Sequence, residues 1–355
     1  NFKEQQIRES SVKTMMHLMK HRGPDDEGVF LDNNIGLGFV RLSIIDLSSA
    51  GHQPMESKDG RYVLVFNGEI FNYIELREEL KKEGVIFNTQ TDSEVLLNAY
   101  IFWGEECLHR FNCMWAFAIY DKQTKNMFAA RDRFGIKPFY YLVSKDQFAF
   151  CSEIPPLLSL LDKKPTPNKQ SIFDYLVFNR TDQTENTFFE EIKKLQHGHK
   201  ISVKNNEVTI ARWYDLRKEV SKKEGFKNSA EFRTFFSSAV NLRLRSDVPV
   251  GVCLSGGLDS SSIVSLILNE NKNKELSTFS AVYNKGQIGD ESEFINEFKP
   301  IVKNMFFTMP ESNDLKKDVY NFVKIQAEPI PSTSAYAEYK VMELAKGKVG
   351  VLLNG

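Results

Sequence analysis

The 355-residue chain predicts two domains, an α+β domain followed by an α/β domain. Three observations carry this. Four short apolar segments, 114–120, 127–131, 138–142 and 148–152, follow one another closely, a spacing that suits antiparallel pairing. From residue 229 the pattern changes to helix, strand, helix, strand, which predicts a parallel sheet with crossover helices. Between the two patterns, residues 222–228 are polar, charged and glycine-containing, the composition of a linker.

In chain order, residues 7–20 read as a helix with Val12, Met15, Met16 and Met19 on one side, stopped by His21-Arg22-Gly23-Pro24. Residues 35–39 and 62–66 are short strands. Asn72, with Glu75 three residues on, suggests a capping-box variant opening a helix that ends at Gly84. Asp92 opens another helix, closed at Gly104. After the four strands, residues 163–168 form a connector, 172–177 a helix and 200–214 a strand pair turning at Asn205-Asn206. The second domain reads as helix 230–244, strand 250–254, helix 260–269, strand 276–283, helices 292–304, 313–326 and 335–345, and strand 349–353. The last strand runs into Asn354-Gly355 as if mid-turn, so the sequence is expected to continue beyond both ends.

Net charge is −1, from 46 basic and 47 acidic residues, so no basic excess points to nucleic acid or an anionic membrane. No apolar run approaches the ~20 residues of a spanning helix. The four cysteines, Cys107, Cys113, Cys151 and Cys253, make no CxxC pair, which favours reduced structural thiols and a cytoplasmic location. His197 and His199 sit near a turn and read as structural.

Ser255-Gly256-Gly257-Leu258-Asp259-Ser260 lies between strand 250–254 and a helix. The glycines permit a sharp turn and close approach of a ligand. Bare N–H groups at the helix start, with the dipole behind them, suit an anion such as pyrophosphate. Neither Gly-x-x-x-x-Gly-Lys-Ser/Thr nor Gly-x-Gly-x-x-Gly occurs. The string resembles the pyrophosphate loop of N-type ATP pyrophosphatases.

Several polar residues of the first half lie where packing would not ask for them. Arg41 follows a strand, Asn67-Gly68-Glu69 follows an apolar strand, and Asp92 starts a helix. Singly, Arg41 fits a surface ion pair, Asn67-Gly68 a hairpin turn and Asp92 an N-cap. They occur together with His21-Arg22-Gly23-Pro24-Asp25 and Arg131-Asp132-Arg133-Phe134-Gly135-Ile136-Lys137-Pro138. With Arg41-Leu42-Ser43-Ile44-Ile45-Asp46, Thr91-Asp92-Ser93-Glu94 and Ser246-Asp247-Val248-Pro249 leading into the Ser-Gly-Gly loop, the chain from about His17 to Gly355 resembles the glutamine-hydrolysing asparagine synthetases of the B type.

The resemblance implies a class II glutamine amidotransferase domain over 1–215, with the αββα sandwich of N-terminal-nucleophile hydrolases. A linker over 216–230 and an adenine-nucleotide α/β parallel-sheet domain over 231–355, incomplete at its C-terminus, would follow. It implies glutamine, aspartate and ATP as substrates, with Mg²⁺, an aspartyl adenylate and an internal ammonia channel, and it allows a homodimer. Glutamine would be held by Arg41, Leu42, Ser43, Ile44, Ile45, Asn67, Gly68, Glu69 and Asp92. Arg41 would grip the α-carboxylate and Asp92 the α-ammonium, while Asn67 and Gly68 donate to the oxyanion. ATP would be held by Leu254, Ser255, Gly256, Gly257, Asp259, Ser260, Asn354 and Gly355, with Asp259 also near Mg²⁺.

The family nucleophile is a Cys at the mature N-terminus; this chain starts Asn1-Phe2, so that Cys is expected one short strand upstream. Two alternatives stay open: an amidotransferase for another carboxylate, such as a sugar acid or peptide, and a glutaminase-like binding or regulatory protein without catalysis.

Overall fold

The computed structural model describes residues 7–271, 275–284, 286, 287 and 289–355. The chain divides into two compact units, Asn1–Glu224 and Gly225–Gly355.

The first unit opens with helix α1 (Glu9–Leu18), which buries Val12 and Met16. Strands β1 (Asp26–Asp32) and β2 (Ile35–Arg41) form a hairpin through the two-residue loop Asn33-Asn34, where Asn33 supplies the positive φ such a loop needs. Then come β3 (Met55–Glu56), β4 (Tyr62–Ile70), α2 (Tyr73–Lys82), α3 (Asp92–Trp103) and the short α4 (Cys107–Arg110). Next are β5 (Cys113–Asp121), β6 (Asn126–Arg131), β7 (Tyr140–Val143), β8 (Phe148–Cys151), α5 (Ile154–Leu158), α6 (Lys169–Phe178) and β9 (Lys193–Lys194). The unit closes with β10 (His199–Lys204), β11 (Glu207–Arg212) and α7 (Leu216–Val220).

Six strands make one sheet in the order β11-β10-β6-β5-β4-β3, and every pairing in it is antiparallel. The β1-β2 hairpin and the sheet β8-β7-β9 make up the strands of a second layer. Side chains alternate across the central strands with period two. From β4 and β5, Leu64, Phe66, Trp115, Phe117 and Ile119 join one core with Leu76 and Leu80 of α2 and Val95 and Leu96 of α3. Val63, Val65, Ala116, Ala118 and Tyr120 join the other, with Leu37 of β2 and Phe139 and Tyr141. A sheet buried on both faces reads as continuous apolar sequence, which is why 62–66 and 114–120 stand out. The layering is the αββα sandwich expected.

The second unit contains α8 (Ser229–Arg243), β12 (Val250–Cys253), α9 (Leu258–Asn271), β13 (Ser277–Ala281), α10 (Ser292–Asn296), β14 (Asn304–Thr308), α11 (Ser312–Gln326), α12 (Ser334–Ala345) and β15 (Val351–Leu353). Its four strands run in the order β14-β13-β12-β15, all parallel. One face of the sheet packs with Val240 of α8 and Val264 and Ile267 of α9. The other packs with Val341 and Ala345 of α12, against Phe279 stacked on Phe306 at 5.2 Å. No helix among the described residues is long and apolar enough to cross a membrane.

Some expectations are corrected. The helix expected over 292–304 ends at Asn296, and its last residue is the first of β14. Pro300 cannot continue a helix, and Met305-Phe306-Phe307 is an apolar strand run too short to declare its type. Asn72 does not cap α2; its side chain donates to Arg110 O at 3.0 Å and accepts from Asn112 N at 2.9 Å. The helix expected from Ser260 begins at Leu258, placing Asp259 and Ser260 inside its first turn.

Candidate functional site

A cavity of about 1310 Å³ opens in the first unit between the two β layers. Arg41, Leu42, Ile44, Ile45, Asn67, Gly68, Glu69 and Asp92 all line it. Ser43 is not among the lining residues; its N–H points away and donates to Asp25 Oδ2 at 2.7 Å. His197 and His199 are also outside it.

The bland alternatives for these residues fail on geometry. Arg41 is no surface ion pair. It is buried at the end of β2, and its guanidinium donates to Ser48 O at 2.7 Å and Asp46 O at 2.5 Å, so it pins the 46–48 loop to the cavity wall. Asn67-Gly68 is no hairpin turn, since both lie inside β4 opposite Ala116 and Trp115 of β5. Asn67 Nδ2 reaches Ser152 Oγ at 3.4 Å. Asp92 is not the N-cap of α3; Thr91 is, accepting the N–H of Glu94. Asp92 is buried at the helix start and accepts Ile70 N at 2.9 Å.

Burial lifts two carboxylates in this wall above the usual carboxylate range. Burial raises Glu69 to about 7, Lys137 opposes the rise and Asp92 adds to it. Burial raises Asp92 to about 6, against backbone N–H donors and Arg41. Glu69 Oε1 is buried with no hydrogen-bond partner among the described residues. An orphaned carboxylate oxygen beside a second carboxylate is a costly arrangement unless a cation arrives to share it.

The raised Glu69 has a consequence for stability. An unfolded Glu ionises near 4.3, so between about pH 4.5 and 7 the native chain holds a proton that the unfolded chain has lost. The cost is absent below the unfolded value and full above the folded one. Glu69→Gln is therefore expected to stabilise the first unit by about 1–3 kcal/mol at pH 8 and to leave it unchanged near pH 4. Calorimetry at the two pH values checks this; an equal gain at both would mean packing, not charge.

The lining residues without an expected role include Gln53, Ser93, Lys137 and Ser152. The Gln53 side chain accepts Phe66 N at 2.7 Å and donates to Ser93 Oγ at 3.3 Å, fixing β4 one residue before Asn67. Lys137 lay within the Arg-Asp-Arg-Phe-Gly-Ile-Lys-Pro string, which was its only signal; Ser152 had none beyond ending a strand. Glu153, next in the chain, accepts from His21 at 2.9 Å and Arg22 at 3.0 Å, which ties the turn after α1 to the end of β8.

All four cysteines are free. Cys151 lines the cavity, but burial pushes its thiol up to about 11, and it packs on Met19 Sδ at 3.1 Å. Burial also raises Cys107 and Cys113, and it lifts Cys253 to about 11. The thiolate is the nucleophile, so these groups are inert at neutral pH.

In the second unit, the Ser-Gly-Gly loop joins β12 to α9 at the carboxyl end of the parallel strands, where such sheets bind ligands. Gly256 has φ +93°, and a Cβ there would lie 2.9 Å from Glu291 O, so only glycine suits the turn. Ser260 Oγ accepts Ser255 N at 3.2 Å, and Ser255 Oγ accepts Gly257 N at 3.3 Å, closing the loop on itself. Ser261 N makes the first bond, to Gly257 O at 3.0 Å, so the amides of Leu258, Asp259 and Ser260 have no intrahelical acceptor. Asp259 is exposed. The turn after β15 abuts the same spot, since a Cβ on Gly355 would lie 2.7 Å from Ser260 N. Asn354 Nδ2 contacts Glu338 Oε1 at 3.4 Å. Leu254 is fully buried; its N–H goes to Phe279 O at 2.9 Å and its carbonyl receives Ser280 Oγ at 2.6 Å. Any nucleotide contact through its backbone would use the carbonyl's second lone pair.

The first unit thus has a cavity whose wall carries Arg41, Asn67, Glu69 and Asp92, and the second a glycine-rich loop at the carboxyl ends of parallel strands; the comparisons show the class to which this pairing of units belongs. The glutamine amidotransferase domain family matches residues 1–214, and the asparagine synthase family matches residues 231–355. A Methanocaldococcus jannaschii protein, provisionally assigned as asparagine synthetase [glutamine-hydrolyzing] 2, is 35% identical, with 99% of this chain and 71% of that protein covered. Asparagine synthetase [glutamine-hydrolyzing] 1 of Bacillus subtilis is 36% identical, with 98% of this chain and 54% of that protein covered. The chain belongs to the glutamine-hydrolysing asparagine synthetase family. It spans about half the length of the B. subtilis relative. A solved glutamine phosphoribosylpyrophosphate amidotransferase from B. subtilis, complexed with ADP and GMP, is 13% identical, with 88% of this chain and 68% of that one covered at a TM-score of 0.45.

Proposed function

We propose that the chain takes part in ATP-dependent synthesis of asparagine from aspartate, using ammonia released from glutamine. Residues 1–215 serve as the glutaminase domain, 216–230 as the connection and 231–355 as the nucleotide-binding part of the synthetase domain. The observation that carries this reading is the convergence of Arg41, Asn67, Gly68, Glu69 and Asp92 on one cavity. It offers a guanidinium for an α-carboxylate, carboxylates for an α-ammonium, and amide donors where an oxyanion forms.

In this reading a cysteine thiolate attacks the amide carbon of glutamine. Burial pushes the Cys151 thiol in the cavity up to about 11, which does not suit it to the attack. The resemblance implies a cysteine at the mature N-terminus for this role. Its own α-amine, with an ordinary pKa near 7.7–8.0, takes the thiol proton and passes it to the leaving nitrogen. The oxyanion rests on the Asn67 amide and the Gly68 N–H. The thioester formed is then hydrolysed to glutamate.

In the second unit, the aspartate β-carboxylate attacks the α-phosphorus of ATP, pyrophosphate leaves, and ammonia displaces AMP from the aspartyl adenylate. The free first-turn amides of α9 and the loop of Ser255, Gly256 and Gly257 hold the departing pyrophosphate. Mg²⁺ is usually held by one or two carboxylates plus phosphate oxygens, so the exposed Asp259 suits it; bound there, the ion would neutralise phosphate charge.

The test uses the full-length protein with aspartate labelled by ¹⁸O in its β-carboxylate. One ¹⁸O is expected in AMP for each asparagine formed. Label in inorganic phosphate, with ADP as product, would overturn the adenylate route.

A further inference from the structure

The family reading gives Lys137 no part, yet it lies on the cavity wall with Glu69. Its placement is built, not incidental. The buried Asp132 carboxylate accepts the backbone N–H groups of Trp115, Phe134, Ile136 and Lys137 at 3.0–3.1 Å. The Arg131 guanidinium then clamps the same loop from the other side, donating to Gly135 O and Leu195 O at 2.6 Å and to Lys137 O at 2.7 Å. Two charged side chains are thus committed to fixing the backbone that presents Lys137. Its ammonium makes no hydrogen bond or ion pair with any described residue, although a solvating lysine would sit outside the cavity. Glu69 lines the same cavity, and its Oε1 is buried and equally without a partner among the described residues.

We infer that Lys137 is a positioning residue of the glutamine pocket: its positive charge holds Glu69 in the ionised form that receives the ligand's α-ammonium. The inference rests on the proposed glutaminase reading of this cavity. The charges around the pair are few. Asp92 acts on Glu69 as a like charge and favours its proton. Arg22 repels the Lys137 ammonium and Asp132 attracts it. Arg41 acts on Asp92 and is tied to the 46–48 loop, leaving Lys137 as the cation that opposes protonation of Glu69. When glutamine enters with Glu69 protonated, the proton leaves to solvent and the carboxylate pairs with the α-ammonium. Binding is therefore weaker in acid, and Lys137 sets where that weakening begins.

The experiment measures kcat/KM for glutamine hydrolysis by the full-length protein from pH 5 to 9. Lys137→Met is expected to move the acid limb to higher pH by about one unit, which at pH 6 is roughly a tenfold loss and near pH 8.5 a small one. The loss is expected in KM rather than kcat. Lys137→Arg should restore the limb, and Lys137→Gln repeats the test should the methionine variant not fold. In a Glu69→Gln background, Lys137→Met should add no further shift. An acid limb unmoved in a folded Lys137 variant would overturn the inference and leave the glutaminase reading intact. So would an equal shift in the Glu69→Gln background, because the charge would then act on another group. A wild-type protein that hydrolyses no glutamine at any pH would overturn both.

Discussion

Asp259→Asn in the full-length protein is expected to reduce pyrophosphate release by about 10²-fold or more while sparing glutamine hydrolysis. Asp259 stands in the first turn of α9, exposed, beside amides that have no helical acceptor. Its carboxylate is the group of this loop suited to a hard cation bridging phosphates. Losing the carboxylate would weaken the hold on the cation that neutralises the departing pyrophosphate, and it leaves the fold alone, because the loop closes through Ser255, Gly257 and Ser260. Gly256→Val should give the same split for a different reason. A Cβ at φ +93° and 2.9 Å from Glu291 O forces the loop to move, and its amides with it. Unchanged pyrophosphate release by both variants would remove the loop from the nucleotide site.

Arg41→Ala is expected to raise the KM for glutamine at least tenfold and to leave synthesis from added ammonium largely intact. A buried charge-assisted contact is worth roughly 1.5–3 kcal/mol, which sets that lower bound. The structure adds a second effect. The guanidinium already holds Ser48 O and Asp46 O, so alanine also frees the 46–48 loop that walls the cavity. Arg41→Lys should therefore fail to rescue, because one ammonium cannot reach two carbonyls and still meet a carboxylate in a two-pronged way. Assays with glutamine and with ammonium separate the outcomes. An equal fall in both would make Arg41 a purely structural residue.

Much of the fold was legible because both central strands of the first unit are buried on two faces and because strand and helix alternate in the second. β4 and β5 read as apolar runs for that reason. β1 did not. Asp26, Glu27 and Asp32 lie on an outer hairpin, and charge hid its period. β14 was lost inside a longer helical reading because three apolar residues in a row carry no period of their own. The residues of the cavity were legible as strings out of place in a packing pattern. Their company was less so. Lys137 reaches the wall because Asp132 and Arg131 fold its loop; the string 131–138 marks that loop, but not the contacts with Trp115 and Leu195 that dock it. Ser152 meets Asn67 across 85 positions of sequence, which no window along the chain can see.

The central claim is that nitrogen leaves glutamine in the first unit and enters an amide made in the second. The most direct measurement supplies the full-length protein with aspartate, ATP and glutamine labelled with ¹⁵N at its side-chain amide, in the presence of unlabelled ammonium, and reads the product by mass. The account predicts asparagine carrying ¹⁵N in its amide, with one AMP and one pyrophosphate per molecule. Glutamine hydrolysed without any labelled amide on aspartate, whatever the ATP turnover, would contradict it.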